Sequence, residues 1–274
     1  MKLFKRTASV LLALTLLTPT LALIGCDDNQ SAVPETPPAT EESVPTTPPV
    51  EEIPPVVQPQ PVVEKAQYLR CTSNSVNFRS GAGTEYSVLG QANENEAYVV
   101  LEKKGNWYKT YYRGKVAYIY SSYASIFTIE KTKDTDAENA ISEGYKLLGV
   151  PYVYGAVRLH DGKGNFLKGF TAQKFDCSSL VQYMFYYGAD TLLDVTTRTQ
   201  VVQGEFVARA NLKRGDCIYF TNESRQHLTG INRVGHVAVY LGDNYILHTA
   251  SDYARIEKIT ASRWKHYIES RRFT

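Results

Sequence analysis

The 274-residue chain holds four cysteines, five histidines and two tryptophans, and no run of basic residues. Each scarcity excludes something. With a formal charge of +2 and no basic patch, the chain is not expected to bind nucleic acid. No two of its histidines and cysteines stand at the short spacing that zinc sites use, so no metal and no organic cofactor is expected. From Asp27 to Glu64 there is neither lysine nor arginine, and prolines recur from Pro34 to Pro61 among Thr, Glu and Val. Such a segment cannot build a core. Residues 26–65 read as an extended, semi-rigid tether. In polyproline form, at about 3.1 Å per residue, it spans on the order of 100 Å.

The first residues indicate the compartment. Lys2, Lys5 and Arg6 precede an apolar stretch from Ala8 to Ile24, interrupted by Thr18-Pro19-Thr20 and closed by Leu23-Ile24-Gly25-Cys26. This is the pattern of a secretory signal over residues 1–25 and not of a spanning helix, because it stops at small residues and runs into polar sequence. Its last four residues are similar to a bacterial lipobox, which implies cleavage before Cys26, lipid on its sulfur and an extracytoplasmic, membrane-anchored protein. Removal of the three cations before Cys26 from the total of 30 leaves one fewer than the 28 acids, a near-neutral mature chain.

Between about Ala66 and Thr128 the sequence breaks into short β-rich runs with turns, among them Ala97 to Leu101 and Trp107 to Tyr112. Close strand spacing with glycine turns predicts a small barrel over 66–128. The segments Asn77-Phe78-Arg79-Ser80-Gly81-Ala82-Gly83-Thr84, Gly105-Asn106-Trp107-Tyr108 and Gly114 to Ile119 resemble a bacterial SH3-like domain. Its many tyrosines fit two roles, barrel core or an exposed aromatic groove for wall peptide or glycan.

The chemistry concentrates further on. In Phe175-Asp176-Cys177-Ser178-Ser179-Leu180-Val181, apolar residues at 180, 181, 184 and 185 recur at helical spacing, with Gly188 as a stop. Asp176 or Ser178 is the candidate cap, which puts Cys177 in the first turn. There the helix dipole and free N–H groups favour an anion, so the thiol is expected to ionise easily. A cysteine on a helix is more often a small buried residue; the polar neighbours and caps favour the reactive reading. Residues 235–241 and 245–250 read as a hairpin around Gly242-Asp243-Asn244. A three-residue loop sets Ala238 opposite His248, with His236 one diagonal step away on the same face, roughly 7–8 Å by backbone. A two-residue loop at Asp243-Asn244 would turn His248 to the other face. Cys177 then acts as nucleophile, His236 as its base and His248 as the group that orients the imidazole.

From about Asp134 to Thr274 the chain resembles an NlpC/P60 cysteine peptidase, on Pro151-Tyr152-Val153-Tyr154-Gly155, Phe175-Asp176-Cys177-Ser178, Leu212-Lys213-Arg214-Gly215-Asp216, Gly235-His236-Val237 and His248. The resemblance implies an α+β, papain-like catalytic domain over 134–274 that cleaves peptidoglycan stem peptides. By position it makes Cys177, His236 and His248 catalytic, and it sets the Tyr154 hydroxyl beside the thiol, with Asp176 and Ser178 at the substrate. Family members with a leading SH3-like domain often cut the γ-D-glutamyl–diamino acid bond. In some the barrel closes one end of the groove, and Asp176 would then pair with a free N-terminal ammonium group. Ser179 and Ala156 stand where the family usually has glycine, and the loops 157–174 and 221–233 are long and polar. The rivals are an N-acetylmuramoyl-L-alanine amidase, a non-catalytic wall-binding lipoprotein, and a metal hydrolase built on the same residues with Asp216. Resistance to chelators combined with sensitivity to alkylation separates the thiol mechanism from the last two. Cys217 sits in an apolar run and reads as a buried thiol. An exported chain permits a Cys71–Cys217 bond, although nothing in the sequence brings the two together.

The anchor has a direct test. Cys26→Ala is expected to move the protein from the membrane fraction to the soluble fraction, read by fractionation and immunoblot. Membrane association that survives salt and carbonate would mean an uncleaved signal anchor.

Overall fold

The computed structural model describes residues 63–274; the signal segment, Cys26 and the tether as far as residue 62 lie outside the described residues, and Lys65, the last residue expected in the tether, belongs to the first strand. The chain opens with eight strands: β1 (Lys65–Cys71), β2 (Val76–Arg79), β3 (Val88–Ala92), β4 (Ala97–Val99), β5 (Glu102–Lys104), β6 (Trp107–Tyr112), β7 (Lys115–Tyr120) and β8 (Ala124–Glu130). Three helices follow, α1 (Thr135–Lys146), α2 (Cys177–Ala189) and the single turn α3 (Thr197–Gln200). The remainder is β9 (Glu205–Val207), β10 (Cys217–Phe220), β11 (His236–Gly242), β12 (Tyr245–Ala250), β13 (Tyr253–Lys258), α4 (Ala261–Lys265) and β14 (Tyr267–Arg272).

Five of the early strands form one sheet in the order β3-β2-β7-β6-β5, the SH3-like part. The other three leave it. They extend the second sheet, whose order is β8-β1-β4-β13-β12-β11-β10-β14-β9, through the pair Ala97↔Ile256. The barrel and the C-terminal part therefore share a sheet and one apolar core, from Phe78 and Tyr112 through Tyr68 to Met184 and Leu247. Alternation explains the barrel tyrosines. In β6, Tyr108, Thr110 and Tyr112 point inward while Trp107, Lys109 and Tyr111 are half-exposed. Tyr98, Tyr108 and Tyr112 are core, and Trp107, Tyr120 and Tyr123 line an open groove of about 430 Å³ with Asn77 and Arg79.

Helices α1 and α2 cover one face of the larger sheet. Leu180, Val181, Met184 and Phe185 are buried there, as their spacing predicts. Gly188 does not stop the helix. The helix runs to Ala189, and Asp190 takes the left-handed conformation with φ of 49°. Gly188 serves α1 instead: a Cβ on it would lie 2.3 Å from the Ala140 nitrogen, so the two helices meet backbone to backbone.

The hairpin departs from expectation in an instructive way. The turn is the two-residue Asp243-Asn244, both at positive φ, with Gly242 paired to Tyr245. That turn alone would invert His248. A bulge between Tyr240 and Gly242 absorbs one residue, restores the pairing Val239↔Leu247, and so keeps Ala238 in register with His248. Gly242, at φ of 98°, also lets β8 approach, since a Cβ there would meet Ile129 at 2.7 Å.

Arg214 joins the two parts. All five of its N–H bonds are used: Nε and Nη2 on the Glu138 carboxylate at 2.6 and 3.1 Å, Nη1 on Tyr68 and the Leu241 carbonyl, and Nη2 also on Tyr145. Tyr68 belongs to β1, Glu138 and Tyr145 to α1, and Leu241 to β11. Arg214→Met takes the ion pair from the half-buried Glu138, which keeps only the Thr132 N–H, and is expected to cost about 3 kcal/mol in urea unfolding. Adding Glu138→Gln should recover part of that loss.

Candidate active site

Asp176 caps α2. Its Oδ1 accepts from the Ser179 N–H at 2.9 Å, and the Ser179 hydroxyl in turn accepts from the Asp176 N–H at 2.9 Å. Ser179 thus completes a capping box and is fully buried; it does not narrow a groove. The rest of the Asp176 carboxylate is also occupied. Ser178 donates to Oδ1 at 3.2 Å, the Gly155 N–H to Oδ2 at 3.2 Å, and Arg158 lies 2.7 Å from Oδ2 as an ion pair. A carboxylate has about four acceptor positions, and here each has a donor. Asp176 and Ser178 are buried beside Cys177 and do not line the cleft, so neither is placed to receive substrate.

Cys177 opens α2 and is 9% exposed. It faces a cleft of about 640 Å³ shared with His236, Tyr152, Asn222, Arg263 and His266. The Ser178 and Val237 N–H groups near its sulfur favour the ionised form. The expectation of an easily ionised thiol is overturned. Burial, followed by the Asp176 carboxylate, pushes the thiol up to about 11, against the two backbone donors and Arg158.

His236 and His248 are brought together as the register requires, with His236 Nε2 2.8 Å from His248 Nδ1. His248 is buried at 1% exposure, and its Nε2 lies 3.1 Å from Glu257 Oε1, at an angle too oblique for a well-directed hydrogen bond. Burial holds His236 well below the ordinary imidazole range, helped by His248 and Arg263. Burial lowers His248 as well, although Glu257 opposes it. Burial works against the charge of Glu257, yet the field of its basic neighbours brings it down to about 2. His248 is the first of those neighbours, followed by Arg263 and Arg255; Arg263 Nη2 is 2.5 Å from Glu257 Oε1.

Tyr154 is displaced from its expected place. It is 84% exposed and absent from the cleft lining, and Tyr152, two residues earlier, takes the position near the thiol. Sequence reasoning also missed Glu257 and Arg263. Glu257 is one diagonal step from His248, across the pairing His248↔Arg255, and was findable once β13 was paired. Cys71 and Cys217 are buried and unbonded to each other.

Residues 149–272 match the NlpC/P60 family and residues 74–125 the bacterial SH3 domain. The chain is 33% identical over 126 residues to the γ-DL-glutamyl hydrolase of Bacillus subtilis, covering 46% of this chain and 26% of that protein. It is 30% identical over 131 residues to the peptidoglycan DL-endopeptidase CwlO of Bacillus licheniformis, 47% and 26% of the two chains. It is 34% identical over 108 residues to the murein DD-endopeptidase MepS/murein LD-carboxypeptidase of Escherichia coli, 39% and 53% of the two. The chain thus spans about a quarter to a half of the length of these relatives. A solved NlpC/P60 family protein from Bacillus cereus is 19% identical, covers 76% of this chain and 63% of its own, and has a TM-score of 0.40.

The shifts fix a pH profile. The productive couple holds one proton between Cys177 and His236, a state bounded below by the histidine and above by the thiol. The lower bound falls beneath the ordinary imidazole value of 6.5, and the upper bound rises from the ordinary thiol value of 9.0 to about 11. Iodoacetamide alkylation of Cys177 in the free protein is expected to stay slow at neutral pH and to climb toward pH 11. A turnover profile should be flat across that interval, with its acid limb below 6.5.

Proposed function

We propose that this chain, which carries an NlpC/P60 domain behind a bacterial SH3 domain, is a cysteine peptidase that hydrolyses peptidoglycan stem peptides. One observation carries the reading: a cysteine in the first turn of α2 opens onto the same cleft as a hydrogen-bonded histidine pair. Cys177 Sγ attacks the amide carbon as its proton passes to His236, which then gives it to the leaving amine. A thioester remains, and water activated by His236 releases the acid and the thiol. The Cys177 backbone N–H, at a helix position with no intrahelical acceptor, serves as an oxyanion donor. His248 holds the His236 ring.

The bond we assign is the γ-D-glutamyl–diamino acid linkage, supported by the γ-DL-glutamyl and DL specificities in two relatives' names. The enzyme works outside the cytoplasm on wall material, held at the membrane by lipid on Cys26. The long proline-bearing segment is its spacer.

Two features oppose a groove restricted to free stems. Among the described residues, none between 63 and 133 lines the cleft, and the Asp176 carboxylate has its acceptor positions filled. The stem still attached to muramic acid is therefore expected to be cut with a kcat/KM at least equal to that of free L-Ala-γ-D-Glu-diamino acid. Product masses from defined muropeptides check both the bond and the preference. Cys177→Ala, with unchanged circular dichroism, should abolish cleavage; a folded variant with wild-type turnover would end the cysteine reading, and a lactyl–L-alanine product would establish an amidase.

A further inference from the structure

The histidine pair leaves one matter open: which of its nitrogens carry protons. The structure constrains the answer from the far end. His248 is buried between two partners, His236 on Nδ1 and the Glu257 carboxylate near Nε2. Glu257 also meets Arg263, and Arg255 stands in the pairing position opposite His248 on β13. A carboxylate accepts only, so at 3.1 Å, even obliquely, it favours a proton on the neighbouring Nε2. A neutral His248 then has its lone pair on Nδ1 and accepts from His236 Nε2–H. The remaining nitrogen of His236, Nδ1, is left unprotonated and has no hydrogen-bond partner.

We propose that Glu257 is a positioning residue that sets the direction of the histidine relay, so that His236 presents a lone pair at Nδ1 to the thiol proton. The inference rests on the thiol reading of the site but makes a claim of its own, about tautomers in the resting protein. Without the carboxylate, His248 gains nothing from keeping its proton on Nε2. It can hold the proton on Nδ1 and donate to His236 Nε2, which forces the His236 proton onto Nδ1. The base is then blocked at the atom that must act. Arg263 keeps Glu257 in place, and the same carboxylate favours the imidazolium formed when His236 takes the proton. No bond beyond this proton transfer changes.

The charged and titratable groups around the pair are Glu257 and Arg255 on β13, Arg263 on α4 with His266 just after it, Glu223 in the loop before β11, and Cys177 on α2. Of these, Glu257 is the one that approaches His248 Nε2 with an acceptor.

Long-range ¹H–¹⁵N spectra of the folded, histidine-labelled protein at pH 8 read both tautomers without reference to turnover. Wild type is expected to show Nε2–H on His236 and on His248. Glu257→Ala should show a distinct Nδ1–H population on both rings, and kcat lower by roughly 10–100-fold with KM little changed. Glu257→Gln offers an amide oxygen to the same N–H, so it should keep the tautomers while the acid limb moves to lower pH, because the negative charge that favours imidazolium is gone. Rings that stay Nε2–H in Glu257→Ala, with an unmoved acid limb, would overturn the proposal and leave Glu257 a partner of Arg263 only. If Glu257→Ala does not fold, an unmoved acid limb in Glu257→Gln overturns it alone. If Cys177→Ala retains activity, the thiol reading fails, while the tautomer result still stands or falls by the spectra.

Discussion

The site depends on parity. In a two-stranded ribbon, successive side chains alternate between faces, so an odd displacement exchanges every inward group for an outward one. The tight Asp243-Asn244 turn would separate His236 from His248 by the thickness of the sheet. The bulge between Tyr240 and Gly242 supplies the compensating residue and returns both imidazoles to one face, 2.8 Å apart. Gly242 is the residue that makes this possible. It takes a φ of 98° that side chains avoid, and it leaves room for Ile129 of the neighbouring β8.

Burial governs the electrostatics of that arrangement. His248 and the thiol are buried and His236 is half-buried, so each is biased toward its neutral form. The resting couple is thiol and imidazole, and separated charge appears only as the sulfur attacks. Desolvation then acts in two directions. It opposes spontaneous ionisation, yet it strengthens any fixed dipole or charge aimed at the reacting groups. The Ser178 and Val237 N–H groups at the sulfur are such dipoles, and Glu257 beyond His248 is such a charge. The same logic explains Asp176. A carboxylate next to the nucleophile would repel the thiolate, and its pairing with Arg158 and three further donors limits that repulsion.

Much of this was legible in the residue order. Helical spacing located α2 and its apolar face, the polar residues before Leu180 identified the cap, and alternation in the two β runs brought the histidines together. What escaped reading depended on contacts between segments far apart in sequence. Gly188 reads as a helix stop by local rule, but its missing side chain is used against Ala140, which only the helix crossing reveals. Tyr152 lines the cleft while Tyr154, in the turn that follows, is exposed, and in so irregular a stretch no periodicity could choose between them. The ease of ionising Cys177 was misjudged because a first-turn position reports the dipole and not the depth of burial. Glu257 lies on a strand whose partner had not been assigned, and its approach to His248 follows only from the pairing of β12 with β13.

The union of barrel and catalytic sheet follows from the same strand. Residues 149–152 pair with β13 as far as Ala254, but beyond it the strand would present an edge with unpaired N–H and C=O groups, a template for unwanted pairing. The barrel segment supplies β4 to that edge, and β1 and β8 follow, so the exposed edge is moved away from the strand that carries Glu257. Arg214 then fastens β1 to α1 and to the end of β11 through five donated hydrogen bonds. The SH3-like part thereby buttresses the sheet that holds the histidines while contributing no side chain to the cleft lining. A relay whose proton placement depends on a carboxylate near 3 Å needs a strand that does not shift, and pairing both sides of β13 meets that need.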